Sequence, residues 1–260
     1  MMPVVFIGHG SPMNAVEDNE FSRKWKEIAG SFPKPKAILS ISAHWETFGT
    51  HVTSMPTPRT IHDFYGFPEI LFRQVYPASG SPELASEIIK MAGKVEIKSD
   101  ETEWGLDHGT WSVLLQMYPE AKIPVVQMSL DQNKTNQQHF DLAEKLQPLR
   151  ESDVLILCSG NIVHNLGMIK WTQTGLSNVA YDWAIEFDEW IRDSVSTGKT
   201  ENVLNYHEMG KDAELAVPSV EHFLPLIYFT GLRHKDEDVM YFCEKIVGGS
   251  ISMRGILTQH

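Results

Sequence analysis

The segment PVVFIGHGSP, residues 3–12, combines the two features on which the fold depends. Its first part, Val4–Ile7, is a short apolar run rich in β-branched side chains. Such a run is typical of a strand that is buried on both faces of a sheet. The run ends at Gly8 and is followed at once by His9. The sequence therefore predicts a buried strand whose carboxyl end carries a histidine.

The same arrangement of an apolar run followed by a histidine occurs twice more. His44 follows Ala37–Ile41, and His164 follows Val154–Leu157 after a short polar stretch. A fourth histidine, His222, lies in the segment VPSVEHFLPL. In open α/β sheets, ligands bind at the carboxyl ends of the strands, and neutral imidazole is the commonest protein ligand for a transition metal. These histidines therefore predict a mononuclear metal site at the strand carboxyl ends.

Segments of helical periodicity alternate with the strand-like runs. Asn19–Ala29 places apolar residues at helical spacing, and Ser81-Pro82-Glu83 is typical of a helix start. That helix is expected to reach Met91; other helices are predicted at 110–117, 137–146, 178–195 and 219–229, and further strands at 95–97 and 123–128. Val239–Phe242 and Ser250–Leu257 are predicted to form a hairpin with Gly248-Gly249 in its turn. This alternation predicts an α/β protein, a single-domain three-layer α/β sandwich over residues 1–260 with a largely parallel central sheet.

The composition limits the classes of partner. The chain has 260 residues, of which 42% are hydrophobic, and a formal net charge of −12. An acidic surface disfavours nucleic acid and anionic membranes, and no apolar run approaches the roughly 20 residues that span a bilayer. The first residues, MMPVVFIGHGSP, are typical of a strand rather than of a signal peptide. We therefore expect a soluble cytoplasmic protein, a monomer or small homo-oligomer, with a small-molecule substrate.

Several common catalytic motifs are absent from the sequence. It contains no GxGxxG, no phosphate-binding GxxxxGK[ST] and no HExxH, and it lacks the GxSxG nucleophile elbow. Its two cysteines, Cys158 and Cys243, form no CxxC pair, so a thiolate zinc site is not indicated. Cys158 follows a predicted strand and is a candidate nucleophile, although a free cysteine more often serves as a small buried apolar residue.

Other features border the predicted site. His108, in Asp107-His108-Gly109, is a candidate to contact substrate or bound oxygen, or else a helix-start histidine bonded to backbone. The segment from Trp45 to Tyr76 is a long loop rich in proline and aromatic residues, and we expect it to wall a pocket for a flat, apolar substrate. Within it, Asp63, Phe64 and Tyr65 are candidate substrate-pocket residues. The remaining histidines are predicted to lie mostly at the surface: His51, His62, His139, His207, His234 and His260.

Six motifs occur in order along the chain: GHGSP (8–12), SAHWE (42–46), DFYGFP (63–68), DHGTW (107–111), GNIVHNL (160–166) and EHFLPL (221–226). This ordered set resembles the class III extradiol ring-cleavage dioxygenases, and most closely their 4,5-DOPA extradiol dioxygenase branch, over nearly the whole chain. The resemblance implies a three-layer α/β sandwich and a non-haem Fe(II) site. At that site a catechol such as L-DOPA would react with O2 to give a muconic semialdehyde.

The resemblance also implies roles for individual residues. His9, His44 and His222 match metal ligands, and His164 matches the acid–base histidine near the metal, which could also bind the metal in a resting site. His108 is the second catalytic candidate. Other members of the family, such as the protocatechuate 4,5-dioxygenase β subunit, use two histidines and a glutamate, so Glu221 and His222 are alternatives for the third ligand.

Two other functions fit a histidine metal site. One is a zinc-dependent hydrolase acting on a small ester or amide, since metal-bound water is a good nucleophile. The other is a non-catalytic metal-binding or chelatase-like protein. Imidazole ligands suit Zn(II), which binds such sites more tightly than Fe(II). We therefore expect Fe(II) to be required for the dioxygenase activity. Zn(II) in the purified protein would be compatible both with an iron enzyme that has bound Zn(II) instead and with the hydrolase.

Overall fold

The computed structural model describes residues 1–173 and 175–259. Its strands are β1 (Val4–Gly8), β2 (Ala37–Thr47), β3 (Thr50–Thr53), β4 (Arg59–Thr60), β5 (Ile97–Asp100), β6 (Gly105–Leu106), β7 (Val125–Asp131), β8 (Val154–Gly160), β9 (Trp171–Thr172), β10 (Gly175–Leu176), β11 (Asp238–Phe242), β12 (Ile246–Val247), β13 (Ile251–Ser252) and β14 (Gly255–Gln259). Its α-helices are α1 (Glu20–Ala29), α2 (Glu69–Phe72), α3 (Pro82–Ala92), α4 (His108–Met117), α5 (Asn136–Leu146), α6 (Asp182–Ser196), α7 (Thr200–Leu204), α8 (Lys211–Ala216) and α9 (Leu224–Leu232). No helix among these is long and apolar enough to cross a membrane.

Eight of these strands form one central sheet in the order β11-β14-β1-β8-β2-β7-β3-β5. The middle of the sheet, β1-β8-β2-β7, is parallel. At one side β14 runs antiparallel to both β1 and β11, and at the other side β3 runs antiparallel to β7. The predicted mostly parallel sheet is confirmed, and its parallel centre contains the strands that lead to His9, His44 and His164.

Helices cover both faces of this sheet, which makes three layers. Alternate residues of β1 face opposite ways: Val4 and Phe6 pack in a core with α5 and α9, whereas Val5 and Ile7 pack in a second core with α1 and α4. All five residues of β1 and all seven of β8 are buried. This double burial explains why these strands appear in the sequence as continuous apolar runs rather than as alternating patterns.

Several predicted elements differ from the structure in their boundaries: the helix predicted at 178–195 begins at Asp182, and the strand predicted at 95–97 is Ile97–Asp100. The helix predicted at 219–229 begins only at Leu224, with Pro225 in its first turn, where the missing N–H of proline costs no helical hydrogen bond. The segment 219–223 is therefore a turn, and it carries His222. The predicted hairpin is also divided, because β11 pairs with β14 while Gly248-Gly249 turns a smaller inner hairpin, β12–β13. Both glycines have positive φ, as such a tight turn requires.

The prediction that the remaining histidines lie at the surface is wrong for His139. Its side chain is completely buried, and its Nδ1 lies 3.0 Å from the Tyr228 hydroxyl. A buried imidazole is tolerated there because it has this partner and stays neutral, since burial lowers the pKa of His139 to about 4. His207 is exposed, whereas His260 lies outside the described residues.

A buried ion pair lies at the amino end of the parallel strands. The Arg150 guanidinium, fully buried just before β8, pairs with Glu237 just before β11. It also donates to the backbone carbonyls of Met2 and Leu232, each at 2.8 Å. Because every charge has several partners, the burial cost of the guanidinium is largely compensated.

Candidate metal centre

The carboxyl ends of β1 and β2 bring His9 and His44 together on either side of β8. The His9 N–H donates to the Gly160 carbonyl at the end of β8 (3.0 Å). In β2 the regular pairing with β7 is interrupted between Ile41 and Glu46, and such an irregularity re-aims side chains. As a result the Nε2 atoms of His9 and His44 lie 3.1 Å apart.

The turn before α9 adds His222 to this pair. The His222 carbonyl accepts the Asn161 N–H at 2.8 Å, which anchors the turn to the end of β8. The centroid of the His222 ring lies 5.3 Å from that of His9 and 5.0 Å from that of His44. One possible ligand atom from each of the three residues lies within 4.8 Å of the others. These three histidines form a compact group to which three separate segments of the chain contribute.

A serine fixes the proton on the His9 ring. The Ser159 Oγ–H donates to the Gly109 carbonyl at 2.6 Å, so the same oxygen is left to accept from His9 Nδ1 at 3.0 Å. A hydroxyl has only one hydrogen to donate. His9 therefore carries its proton on Nδ1, and the lone pair on Nε2 is free to bind a metal.

Carboxylates have the same effect on the other two rings. His44 Nδ1 lies 3.3 Å from Asp63 Oδ2, and His222 Nδ1 lies 3.2 Å from Glu221 Oε1. A carboxylate favours the Nδ1–H tautomer, because an ionised carboxylate only accepts hydrogen bonds. In each case Nε2 keeps its lone pair.

Burial keeps these imidazoles neutral. It lowers the pKa of His44 to about 3, with repulsion from His108 adding to the effect and Asp63 opposing it. Burial likewise holds the pKa values of His9 and His222 well below the ordinary value of histidine. Neutral imidazole is the form that binds metals, so at neutral pH the group is ready to do so.

The donor set fits a single metal ion. Two neutral Nε2 atoms that face each other at 3.1 Å repel unless a cation or a proton lies between them. With metal–nitrogen bonds of about 2.0–2.1 Å, two adjacent ligands of a six-coordinate ion lie about 3 Å apart. The separation of His9 and His44 is thus that of neighbouring ligands on one ion.

His164 lies beside this group and not within it. Its ring stacks on that of His222, with centroids 3.5 Å apart and an interplanar angle of 7°. It forms a second cluster with Glu221 and His222. Burial lowers the pKa of His164 to about 4, although the negative charge of Glu221 partly opposes this. His164 is therefore a neutral imidazole next to a carboxylate.

His108 and the loop after β4 lie on the other side of His44. The rings of His108 and His44 are 3.8 Å apart between centroids. Phe64 meets the His108 ring edge-on, with centroids 5.5 Å apart. Asp63 accepts from both the backbone N–H and the Nδ1 of His108, each at 2.9 Å. The side chain of Tyr65, by contrast, is 92% exposed.

Sequence reasoning missed a buried polar network that supports the helix bearing His108. Asp107 caps α4, accepting from Thr110 N–H and from the Ser42 hydroxyl, and it also pairs with Gln127. Burial raises the pKa of Asp107 to about 6, an effect to which the charge of Asp63 adds. The aspartate at a helix N-cap position could be recognised from the sequence. Its contacts with Ser42 on β2 and Gln127 on β7 could not, because they join distant parts of the chain.

Cys158 does not lie in the site. Its side chain is fully buried in the core with Phe6 and Ile156. Burial raises the pKa of its thiol far above the ordinary value. A thiolate nucleophile at this position is therefore disfavoured.

Comparison with known proteins identifies the family to which the chain belongs. Residues 3–252 match the family described as the catalytic LigB subunit of aromatic ring-opening dioxygenase. The chain belongs to this family. The protein is accordingly a ring-opening dioxygenase of the extradiol type, which confirms the class predicted from the sequence motifs.

Individual relatives agree with this assignment. The dioxygenase is 43% identical to the 4,5-DOPA dioxygenase extradiol of Escherichia coli (strain K12) over 260 residues, covering 98% of this chain and 94% of that protein. It is 41% identical to the protein of the same name from Beta vulgaris over 227 residues, covering 85% and 83%. The crystal structure of an uncharacterized E. coli K12 protein superposes with a TM-score of 0.86 at 37% identity, covering both chains completely.

Proposed function

We propose that this LigB-family dioxygenase opens the ring of L-DOPA or a closely similar catechol next to its diol, using O2 and giving a muconic semialdehyde. One observation carries the proposal: His9, His44 and His222 each have Nδ1 within 3.3 Å of a protein oxygen, and the three side chains meet at the strand ends. The relatives named as 4,5-DOPA dioxygenases supply the substrate class. We take residues 1–260 to act as one catalytic domain.

We propose Fe(II) as the native metal, held by His9, His44 and His222. When bound, Fe(II) would lower the pKa of the catechol hydroxyls and permit reaction with O2, whereas Zn(II) has no redox chemistry. Glu221 is the less suitable third ligand, because its Oε1 already accepts from His222 Nδ1. It orients the histidine, as carboxylates behind metal-bound imidazoles commonly do.

His164 is the proposed acid–base residue. Its neutral ring can accept a proton from a catechol hydroxyl, and the nearby Glu221 carboxylate would stabilise the resulting imidazolium. Its parallel contact with His222 fixes the plane of the ring. Because its ring contacts that of the proposed ligand His222, His164 is also a candidate to bind the metal before substrate arrives.

His108 and Phe64 are proposed to face the substrate. With Nδ1 bonded to Asp63, His108 presents Nε2 as a hydrogen-bond acceptor to a catechol hydroxyl. The aromatic edge of Phe64 supplies an apolar wall, which suits a flat substrate. Tyr65 stays a predicted pocket residue only.

We further propose a cytoplasmic location. Cys158 and Cys243 are both free thiols, as is usual in a reducing compartment, and an Fe(II) enzyme benefits from the same environment. The small-molecule substrate follows from membership of the dioxygenase family, whereas the prediction of no nucleic acid or membrane partner rests on the net charge of −12.

The decisive experiment is metal reconstitution. Metal-free protein is loaded with Fe(II) without oxygen, and L-DOPA and then air are added. We expect oxygen uptake and a yellow ring-cleavage product, while protein loaded with Zn(II) should give neither. Ester hydrolysis by the Zn(II) protein, together with no oxygen uptake for any catechol tested with Fe(II), would refute the proposal in favour of a hydrolase.

The role of His164 has its own test. His164→Ala should retain metal but lose most turnover, because the site then lacks its proton acceptor. His234→Ala is the matched control, since His234 borders Glu237 at the amino end of the sheet. Full turnover by His164→Ala would refute the acid–base assignment.

A further inference from the structure

A single carboxylate lies between a proposed metal ligand and a proposed substrate-facing residue. Asp63 Oδ2 is 2.9 Å from His108 Nδ1 and 3.3 Å from His44 Nδ1. Asp63 Oδ1 accepts the backbone N–H of His108 at 2.9 Å. The carboxylate is only 16% exposed, so water competes little for these bonds.

These contacts argue against direct substrate binding by Asp63. Both of its oxygens already accept hydrogen bonds from His108, and Oδ2 also lies 3.3 Å from His44 Nδ1. A substrate hydroxyl would have to compete with the buried N–H groups of His44 and His108, and leaving a buried donor unpaired costs roughly 1–3 kcal/mol.

The same three side chains could in principle hold a second cation, since their ligand atoms also cluster. That arrangement would require both histidines to give up the Nδ1 proton and carry it on Nε2. A proton on His44 Nε2 would point at His9 Nε2, which is 3.1 Å away, and would block the main site. Hydrogen bonding therefore accounts better for the cluster than a second cation does.

We infer that Asp63 is a positioning residue that fixes the tautomers of His44 and His108 together. It holds His44 with its Nε2 lone pair toward His9, and it holds His108 with Nε2 as an acceptor. Because the same Oδ2 atom bonds the His108 ring and lies 3.3 Å from His44 Nδ1, the geometry of the metal ligand depends on that of His108. The effect on turnover rests on the proposed function, whereas the effect on metal binding does not.

The inference is tested first on the unaltered protein loaded with Zn(II), because without a cation the facing Nε2 lone pairs of His9 and His44 would repel each other. Side-chain nitrogen NMR reports which ring nitrogen of each histidine carries the proton. We expect Nδ1–H for both His44 and His108. An Nε2–H tautomer at either residue would overturn the inference, and this measurement requires no variant to fold.

The second test is Asp63→Asn, which keeps the size of the side chain but replaces an acceptor oxygen by an NH2 group. Affinity for Zn(II), measured by competition with a chromophoric chelator, should fall roughly 10–100-fold, as for other carboxylates behind metal-bound histidines. Asp100→Asn is the matched control, because the Asp100 carboxylate is also buried but accepts from backbone N–H groups of residues 102–104. Unchanged affinity in Asp63→Asn, or an equal loss in Asp100→Asn, would overturn the inference.

A double-mutant comparison separates the two effects of Asp63. In Fe(II) enzyme saturated with metal, Asp63→Asn should lower kcat in the wild-type background and lower it less in a His108→Ala background. The loss of Zn(II) affinity should be similar in both backgrounds. Equal losses of kcat would overturn the link to His108. If wild-type enzyme cleaves no catechol, the proposed function fails, and the NMR and Zn(II) results still decide the tautomer assignment.

Discussion

Replacing Ser159 by alanine tests whether the proton on His9 is controlled by its neighbour. Ser159 Oγ lies between the Gly109 carbonyl and His9 Nδ1, and all three groups are buried. Ser159→Ala removes the hydroxyl that holds the Nδ1–H tautomer. The ring can then either leave a buried N–H unpaired or move its proton to Nε2, which blocks metal binding.

Both responses have a cost that can be worked from the contacts. An unpaired buried donor costs roughly 1–3 kcal/mol, and loss of a partner behind a metal-bound histidine weakens metal affinity roughly 10–100-fold. We therefore expect Ser159→Ala to bind Zn(II) about one to two orders of magnitude more weakly than wild type. The free energy of unfolding of the metal-free protein should fall by about 1 kcal/mol.

Ser40→Ala is the matched control for this measurement. Ser40 is equally buried on the neighbouring strand β2, but its hydroxyl pairs with that of Thr110 at 2.8 Å and touches no ligand histidine. It should lose a similar amount of stability and keep its Zn(II) affinity, measured by chelator competition. The tautomer argument is refuted if Ser159→Ala binds Zn(II) as tightly as Ser40→Ala does.

Three further predictions follow from the site. Gly109→Ala should weaken Zn(II) binding while Gly30→Ala should not, because a Cβ at Gly109 would meet the Ser42 hydroxyl and lie 2.9 Å from His44 Cδ2; equal affinities would contradict this. Tyr65→Ala should leave kcat/KM unchanged in steady-state assays, whereas Phe64→Ala should lower it, since only Phe64 packs on His108; the reverse order would be inconsistent with the proposed pocket. Metal-free protein should lose stability on acidification. In the unfolded chain, histidine side chains bind protons below a pH of about 6.5, whereas in the folded protein His44 and His164, with pKa values of about 3 and 4, stay neutral. Urea unfolding at pH 7 and 5 should show a loss of at most about 2 kcal/mol for each of these groups, and an undiminished loss in His164→Ala would contradict this assignment.

Much of the sheet was predictable because its central strands are buried on both faces. Continuous apolar runs such as Val4–Ile7 and Val154–Leu157 are typical of doubly buried parallel strands, and each run is followed by a histidine. The edges were harder to predict. β3, at Thr50–Thr53, pairs antiparallel with β7 through a single residue pair, and no local pattern specifies such a contact.

The site was predictable in its residue types but less so in its connections. His9 and His44 follow strands, so their meeting follows from the topology. The link between Asp63 and His108 joins residues 45 positions apart, and periodicity carries no information about such a pair. The position of His222 in a turn could have been predicted, because proline is frequent in the first turn of a helix and Pro225 therefore indicates that the helix begins after His222.

The Arg150–Glu237 pair has a consequence for how the protein tolerates change. The pair joins the segments that precede β8 and β11 at the amino end of the parallel strands, whereas the imidazoles and their partners lie at the carboxyl end. Breaking a buried pair by removing one partner costs about 3–5 kcal/mol, a large part of the stability of a typical domain. Substitutions around the pocket leave both partners of this pair in place, so a change of substrate preference at one end of the sheet does not incur this cost at the other.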